Sequence, residues 1–208
     1  MSIASVYFSD TYFGQDSYRV THPEDIKQDT KLLVLWGGED ISPGLYGEIN
    51  VRSHGCNPRR DETECRMVEY AVEAGIPILG ICRGAQLLCA MDNGKLWQHV
   101  TNHAYGGPEA HKIITITGEV IPTNSAHHQM MRPAPYTTTV VGWSHLVRSP
   151  VKWNQDGEHE TQEKEPELVW FQKLNAIGVQ GHPEWLPHNS PLTMYTKRML
   201  KEYLNVEI

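Results

Sequence analysis

Short apolar runs alternate with helical patterns along this chain. Ile3 to Phe8, Leu32 to Trp36, Ile76 to Ile81 and Ala176 to Val179 are nearly unbroken apolar stretches that stop at Gly, Pro or polar residues, as strands buried on both faces do. Met67, Tyr70, Ala71 and Ala74 recur at helical spacing and predict a helix over Asp61 to Ala74, stopped by Gly75-Ile76-Pro77. A second helix is expected just after Cys82, with Ala85, Leu88 and Cys89 turned inward and an end near Asp92-Asn93-Gly94. From His111 to Arg148 the pattern becomes β-branched alternation, in Ile113 to Thr117 and Thr137 to Val141, which predicts antiparallel strands and a mixed sheet. Leu192, Tyr195, Met199 and Tyr203 predict an amphipathic C-terminal helix after Pro191. The polar run Asp156 to Glu167 reads as a solvated hairpin tip or loop without chemistry. With no internal repeat, the pattern describes one α/β layer sandwich over residues 1–208.

Composition narrows the partners. A chain of 208 residues can bury a full core without disulfides or structural metals. Its formal net charge of -7 argues against a protein built on counterion release from nucleic acid. No basic region precedes an apolar stretch at the N-terminus, and no run approaches the ~20 apolar residues of a membrane span, so the expected location is cytoplasmic. Cys56, Cys65, Cys82 and Cys89 show neither C-x-x-C nor paired metal-ligand spacing and are expected as thiols.

One thiol stands apart. Gly80-Ile81-Cys82-Arg83-Gly84 places a cysteine between two glycines where a buried strand meets a helix, the layout of a nucleophile elbow. The glycines permit close backbone approach, and the helix N-terminus favours a thiolate while offering the Arg83 N–H to an oxyanion. Most free cysteines are small buried hydrophobes, the reading given to Cys56, Cys65 and Cys89. A thiolate nucleophile needs a base that also protonates the leaving group. Among eleven histidines, His182 emerges from the end of an apolar run with Glu184 two residues on, where strand periodicity puts both on one side and the carboxylate orients the imidazole.

Six ordered blocks carry a family resemblance: Gly37-Gly38-Glu39-Asp40-Ile41-Ser42-Pro43, Arg60-Asp61-x-x-Glu64, Gly80 to Gln86, Gly94-Lys95-Leu96-x-Gln98, Asn124 to Gln129, and Val179 to Glu184. With them the chain resembles the class I glutamine amidotransferase superfamily, and within it the γ-glutamyl hydrolase and γ-glutamyl-γ-aminobutyrate hydrolase type of cysteine peptidase. The resemblance implies a flavodoxin-like three-layer α/β sandwich with a mostly parallel central sheet and an added antiparallel portion. It implies acyl-enzyme chemistry at Cys82 with His182 and Glu184, an oxyanion hole from Gly37, Gly38 and Arg83, and no metal or organic cofactor. Gln86, Ser125, His127 and His128 would bind the glutamyl group, although adjacent histidines on a strand face opposite ways, so that at most one of these two faces substrate.

The chain departs from that pattern at Gly181, where tryptophan is common, at Trp36, where proline is usual, and at Asp92-Asn93. A missing indole before His182 is expected to reshape the pocket beside the base. The implied partner is a small γ-glutamyl substrate, with a separate ammonia-accepting synthetase in the alternative reading as a glutaminase subunit, and a homodimer as a further assembly. A catalytically inactive γ-glutamyl-binding module is the reading from another class.

Overall fold

The structure is a computed structural model describing residues 2–7, 12, 17–104, 107 and 109–208. In chain order the strands are β1 (Ser2–Val6), β2 (Ser17–Val20), β3 (Thr30–Leu35), β4 (Ile78–Ile81), β5 (Lys95–Trp97), β6 (His99–Val100) and β7 (His111–Thr115). They continue with β8 (Val120–Thr123), β9 (Met130–Arg132), β10 (Thr138–Ser144), β11 (Val151–Asn154), β12 (Gly157–Glu160), β13 (Pro166–Phe171) and β14 (Ala176–Val179). The helices are α1 (Pro58–Glu73), α2 (Arg83–Met91) and α3 (Pro191–Leu204).

Among the described residues, nine strands form the central sheet in the order β2-β1-β3-β4-β14-β13-β10-β7-β8. The β2 to β14 side is parallel and holds the nucleophile candidate, while β13, β10, β7 and β8 form the expected antiparallel addition. Alternation along the buried strands assigns the layers. Leu33, Leu35 and Ile78 pack with Met67, Val68 and Ala71 of α1 and Leu87 and Leu88 of α2. Their neighbours Leu32, Val34, Leu79 and Ile81 face the other way, onto Leu192, Met199 and Leu200 of α3. The result is the flavodoxin-like three-layer sandwich, with a period of two in the strands feeding two separate helix layers.

The predicted elements are present with shifted ends. The β1 strand stops at Val6, and Phe8 lies outside the described residues. Helix α1 begins three residues earlier than expected because Asn57 caps it, its Oδ1 accepting the Arg60 N–H at 3.2 Å, with Pro58 at the first position. One expectation fails. The segment Asp156 to Glu167 is solvent-facing through Lys164, but Glu165 and Glu167 are completely buried where the chain enters β13. Among the described residues, no helix is long and apolar enough to cross a membrane.

The strand-to-helix turn is as tight as its glycines suggest. A Cβ on Gly80 would stand 2.6 Å from the Gly84 carbonyl carbon, and one on Gly84 would stand 2.4 Å from the Leu35 carbonyl oxygen. Backbone cannot give way as a flexible side chain can. Gly84→Ala should therefore destabilise the protein by about 1–3 kcal/mol, whereas Gly44→Ala, where a Cβ meets nothing within 4 Å, should not. Urea denaturation of both variants checks this, and equal midpoints would remove the packing account.

Candidate active site

Cys82 closes the turn between β4 and α2 with φ 49° and ψ -103°, a strained conformation for a residue with a side chain. Its N–H donates to the Val179 carbonyl at 2.7 Å, which ties the nucleophile candidate to the end of β14. From the same strand end, Gln180 Nε2 lies 3.7 Å from Cys82 Sγ.

His182 follows on a short 3₁₀ turn, Pro183–Trp185, and its Nδ1 lies 2.7 Å from Glu184 Oε1. The pair predicted from sequence is thus formed, by a tight turn after β14 rather than by strand periodicity. The His182 backbone is clamped on both sides by one side chain: its N–H donates to Asn124 Oδ1 at 2.8 Å, and Asn124 Nδ2 donates to its carbonyl at 2.7 Å.

Burial works against a charge on His182, yet hydrogen bonding to Cys82 and to Glu184 prevails and carries the imidazole up to about 10. The group is an imidazolium over the neutral range, beside the sulfur. Cys65 and Cys89, by contrast, are pushed up to about 11 and about 12 by burial and stay protonated.

These groups open on a cavity of about 510 Å³ lined by Trp36, Gly37, Gly38, Cys82, Ala126, His182, Glu184 and Trp185. It lies at the carboxyl ends of the parallel strands, where open α/β sheets bind ligands. A larger depression of about 1090 Å³ at the opposite strand ends, around Gln28 to Lys31 and Ala74 to Pro77, is lined by neither a cysteine nor a histidine.

Gly37 has no room for a side chain, since a Cβ would stand 2.7 Å from His182 Cε1 and 3.6 Å from Cys82 Cβ. A Cβ on Gly38 would stand 2.2 Å from Arg60 Nη1. Arg60 donates from Nη2 to the Gly37 carbonyl at 3.2 Å, from Nη1 to Glu39 at 2.6 Å and from Nε to Glu64 at 2.8 Å. The Arg83 side chain points away from the cavity into this network, pairing with Glu64 and, at 2.6 Å, with Asp61. Asp61 also accepts the Ser42 N–H at 3.2 Å. Only the Arg83 backbone is left for the cavity side, and as the first residue of α2 its N–H has no intrahelical partner.

The expected glutamyl-binding residues stand elsewhere. Gln86 is buried and donates from Nε2 to the Gln129 carbonyl at 3.1 Å and towards Gln180 Oε1 at 3.4 Å, one step behind the sulfur. Ser125 Oγ donates to the His103 carbonyl at 2.5 Å. His127 is buried against His103, and burial together with that neighbour drives its imidazole down to about 3. His128 pairs with Asp40 at 2.9 Å. None of these four side chains lines the cavity; from their block, Ala126 does.

The departure at Gly181 also reads differently in three dimensions. A Cβ there would meet Thr123 Oγ1 at 2.6 Å and the Asn124 carbonyl at 3.1 Å, with no space for an indole. The indole beside His182 comes from Trp185, whose ring lies 3.7 Å from that of His182 at 5°, and a second from Trp36 lines the same cavity. Sequence reasoning passed over Trp185 because it follows the H-P-E motif instead of preceding it. It assigned no role to Asn124 or Gln180, although both lie inside recognised blocks.

The chain belongs to the Peptidase C26 family, whose model matches residues 20–184, within the class I glutamine amidotransferase-like superfamily. It is 30% identical over 189 residues to the glutamine amidotransferase-like protein YvdE of Lactococcus lactis, covering 79% of this chain and 72% of that one. A shorter stretch, 66 residues at 38% identity, matches the gamma-glutamyl-CDP-amidate hydrolase of Campylobacter jejuni over 32% of this chain and 30% of that one. The crystal structure of a glutamine amidotransferase from Thermotoga maritima superposes with a TM-score of 0.59 at 14% identity, covering 98% of this chain and 88% of that one. That structure supports the fold.

The raised imidazole has a pH consequence. Because the folded value lies above the ordinary 6.5, the stabilisation that the pairing provides is fully present below about 6.5 and is lost as pH rises through about 10. Glu184→Gln removes one of the two groups holding the proton, so the variant should lose thermal stability relative to the parent at pH 7, with the gap narrowing towards pH 10. A gap that stays constant over that range would show that Glu184 does not hold the proton on His182.

Proposed function

We propose that the protein is a cysteine-dependent hydrolase of γ-glutamyl amide bonds, acting through a thioester on Cys82. The observation that carries this reading is the base: His182 sits between Cys82 and Glu184, with a raised affinity for its proton, on a cavity walled by Gly37 and Gly38. Cys82 Sγ attacks the γ-carbonyl carbon, and backbone N–H groups at Gly38 and Arg83 receive the oxyanion. Since Glu184 holds Nδ1, His182 donates from Nε2 to the departing nitrogen as the C–N bond breaks. A water, giving its proton back to His182, then hydrolyses the thioester. The γ-glutamyl specificity draws support from membership of Peptidase C26 and from the short match to a gamma-glutamyl-CDP-amidate hydrolase.

A second reading, a glutaminase subunit passing ammonia to a separate synthetase, draws support from the glutamine amidotransferase names of the Lactococcus and Thermotoga proteins. Free glutamate released from glutamine, γ-glutamyl amines and γ-glutamyl peptides by the isolated protein separates the two. The hydrolase reading expects steady turnover without a partner, falling by roughly 10⁴-fold or more in Cys82→Ala. Undiminished turnover in that variant removes the mechanism, and glutamine turnover that starts only when a synthetase is added favours the subunit.

Trp185 gives the leaving-group side an aromatic wall, more than half exposed. Trp185→Ala should raise KM about tenfold for γ-glutamyl amines with large apolar or planar leaving groups, worth ~1.4 kcal/mol. Glutamine, which releases only ammonia, should lose much less. Equal losses on both kinds of substrate would assign Trp185 to the base rather than to the amine.

A further inference from the structure

Behind the active-site loop lies a second cluster of titratable groups for which the hydrolytic chemistry has no use. His103, His111 and Glu167 are buried, and one donor atom from each lies within 4.8 Å of the others. His111 Nε2 is 2.7 Å and His103 Nδ1 is 3.6 Å from Glu167 Oε1. A tetrahedral shell with metal–ligand bonds of ~2.0–2.1 Å puts its donors about 3.3 Å apart, within reach of this arrangement by small side-chain shifts.

Among the described residues, four buried atoms in the cluster have no hydrogen-bond partner: His103 Nδ1, His111 Nδ1, His127 Nε2 and Glu167 Oε2. So many orphaned polar atoms in one place call for a missing species. Charge points to a cation. The neighbouring carboxylate, Glu165, has Lys152 at 3.5 Å and two backbone donors from Arg148 and Ser149, but among the described residues Glu167 has only imidazoles.

The outer contacts are those that orient metal ligands. His103 directs Nε2 to Glu165 at 3.1 Å, which leaves Nδ1 for the centre, and His127 directs Nδ1 to the Gln129 carbonyl at 2.8 Å, which leaves Nε2. Carboxylate or carbonyl contacts of this kind fix the imidazole tautomer in metal sites.

We propose that His103, His111 and Glu167 bind one divalent transition-metal ion, with His127, whose ring centroid lies 4.7 Å from that of His103, turning its Nε2 in as the fourth donor once the ion is bound. Imidazole and carboxylate together suit zinc among such ions. His111 also lines a surface cleft of about 200 Å³ with His145 and Ser144, which provides a way in. The ion would join the loop after β6 to β7 and β13. Through the bond from Ser125 Oγ to the His103 carbonyl it would also hold the segment carrying Ala126 and Asn124 against the active site. Its part is structural support; the cysteine chemistry runs without it.

Zinc alone, titrated into full-length, chelator-stripped Cys82→Ala protein, tests this away from the active-site thiol. One equivalent should bind in competition with a chromophoric chelator at a Kd below about 1 µM, as a built site of this ligand type requires. At a hundredfold excess over Kd the Tm should rise by roughly 5–10 °C. Glu167→Gln and His111→Gln should each weaken binding by about 100-fold or more, and Glu165→Gln by about 10- to 100-fold. Cobalt bound to the same protein should show the strong visible bands of a four-coordinate site without a sulfur charge-transfer band. Absence of stoichiometric binding would mean that water alone fills the cluster, and unchanged affinity in Glu167→Gln would place the ion elsewhere. A sulfur-to-cobalt band would put it on a cysteine, and any of these three results overturns the proposal. The cobalt spectrum needs no substitution in the cluster, so it decides the matter even if those variants do not fold.

Discussion

The geometry of the candidate site depends on two arginines, one buried and one half-buried. Arg83 is fully buried with its guanidinium between Asp61 and Glu64, and Arg60 links Glu64 outward to Glu39 and to the Gly37 carbonyl. Taking such ions out of water costs several kcal/mol each, and only near-complete pairing offsets it. The network therefore adds little net stability, yet loss of one partner leaves a buried charge that costs about 3–5 kcal/mol. What it does fix is position. Both carboxylates come from the first turns of α1, Arg83 opens α2, and Asp61 also holds Ser42, so two helix N-termini and the loop from Gly37 to Ser42 move as one body. Cys82 stands at one end of that body and the glycine wall at the other.

This explains why glycine is needed at both positions of the wall, for different reasons. Gly37 is hemmed in by His182 and Cys82, and Gly38 by the guanidinium that anchors the loop. A side chain at Gly37 would collide with His182 and Cys82, whereas one at Gly38 would displace Arg60 and so release the Gly37 carbonyl. The backbone wall that these glycines give the cavity is held from behind by charge.

Much of this was readable in the sequence because it follows from local pattern. The buried strands, the cysteine between close-packed glycines and the carboxylate beside His182 all depend on residues near one another in the chain. The failures involve long-range contacts. Glu165 and Glu167 sit at the end of a charged, solvent-facing run, and nothing within that run marks the two as buried; their partners, His103, His111 and Lys152, come from other strands and loops. Likewise Gly181 reads as a missing indole only if the pocket is assumed to lie on its side. The chain packs Thr123 there and supplies the ring from Trp185, through a turn that strand periodicity does not describe. Ser125, His127 and His128 were assigned to the substrate from their motif, but a motif records proximity to a site and not the direction in which each side chain points.

The segment from Asn124 to Gln129 shows why proximity and direction separate. Asn124 grips the His182 backbone by two hydrogen bonds, Ala126 faces the cavity, and Ser125 and His127 turn the other way, to the His103 carbonyl and into the histidine cluster. Alternate residues thus serve two different buried polar centres. The raised proton affinity of His182 comes from its hydrogen bonds to Glu184 and to Cys82, and hydrogen bonds are sensitive to displacements of well under 1 Å. A loop free to drift would let the imidazole tilt away from the sulfur. Two bonds onto the His103 carbonyl, from Ser125 Oγ and the His127 N–H, tie the loop to the cluster behind it from the side away from the cavity, so its anchoring does not fall to the wall that Trp36 and Trp185 shape.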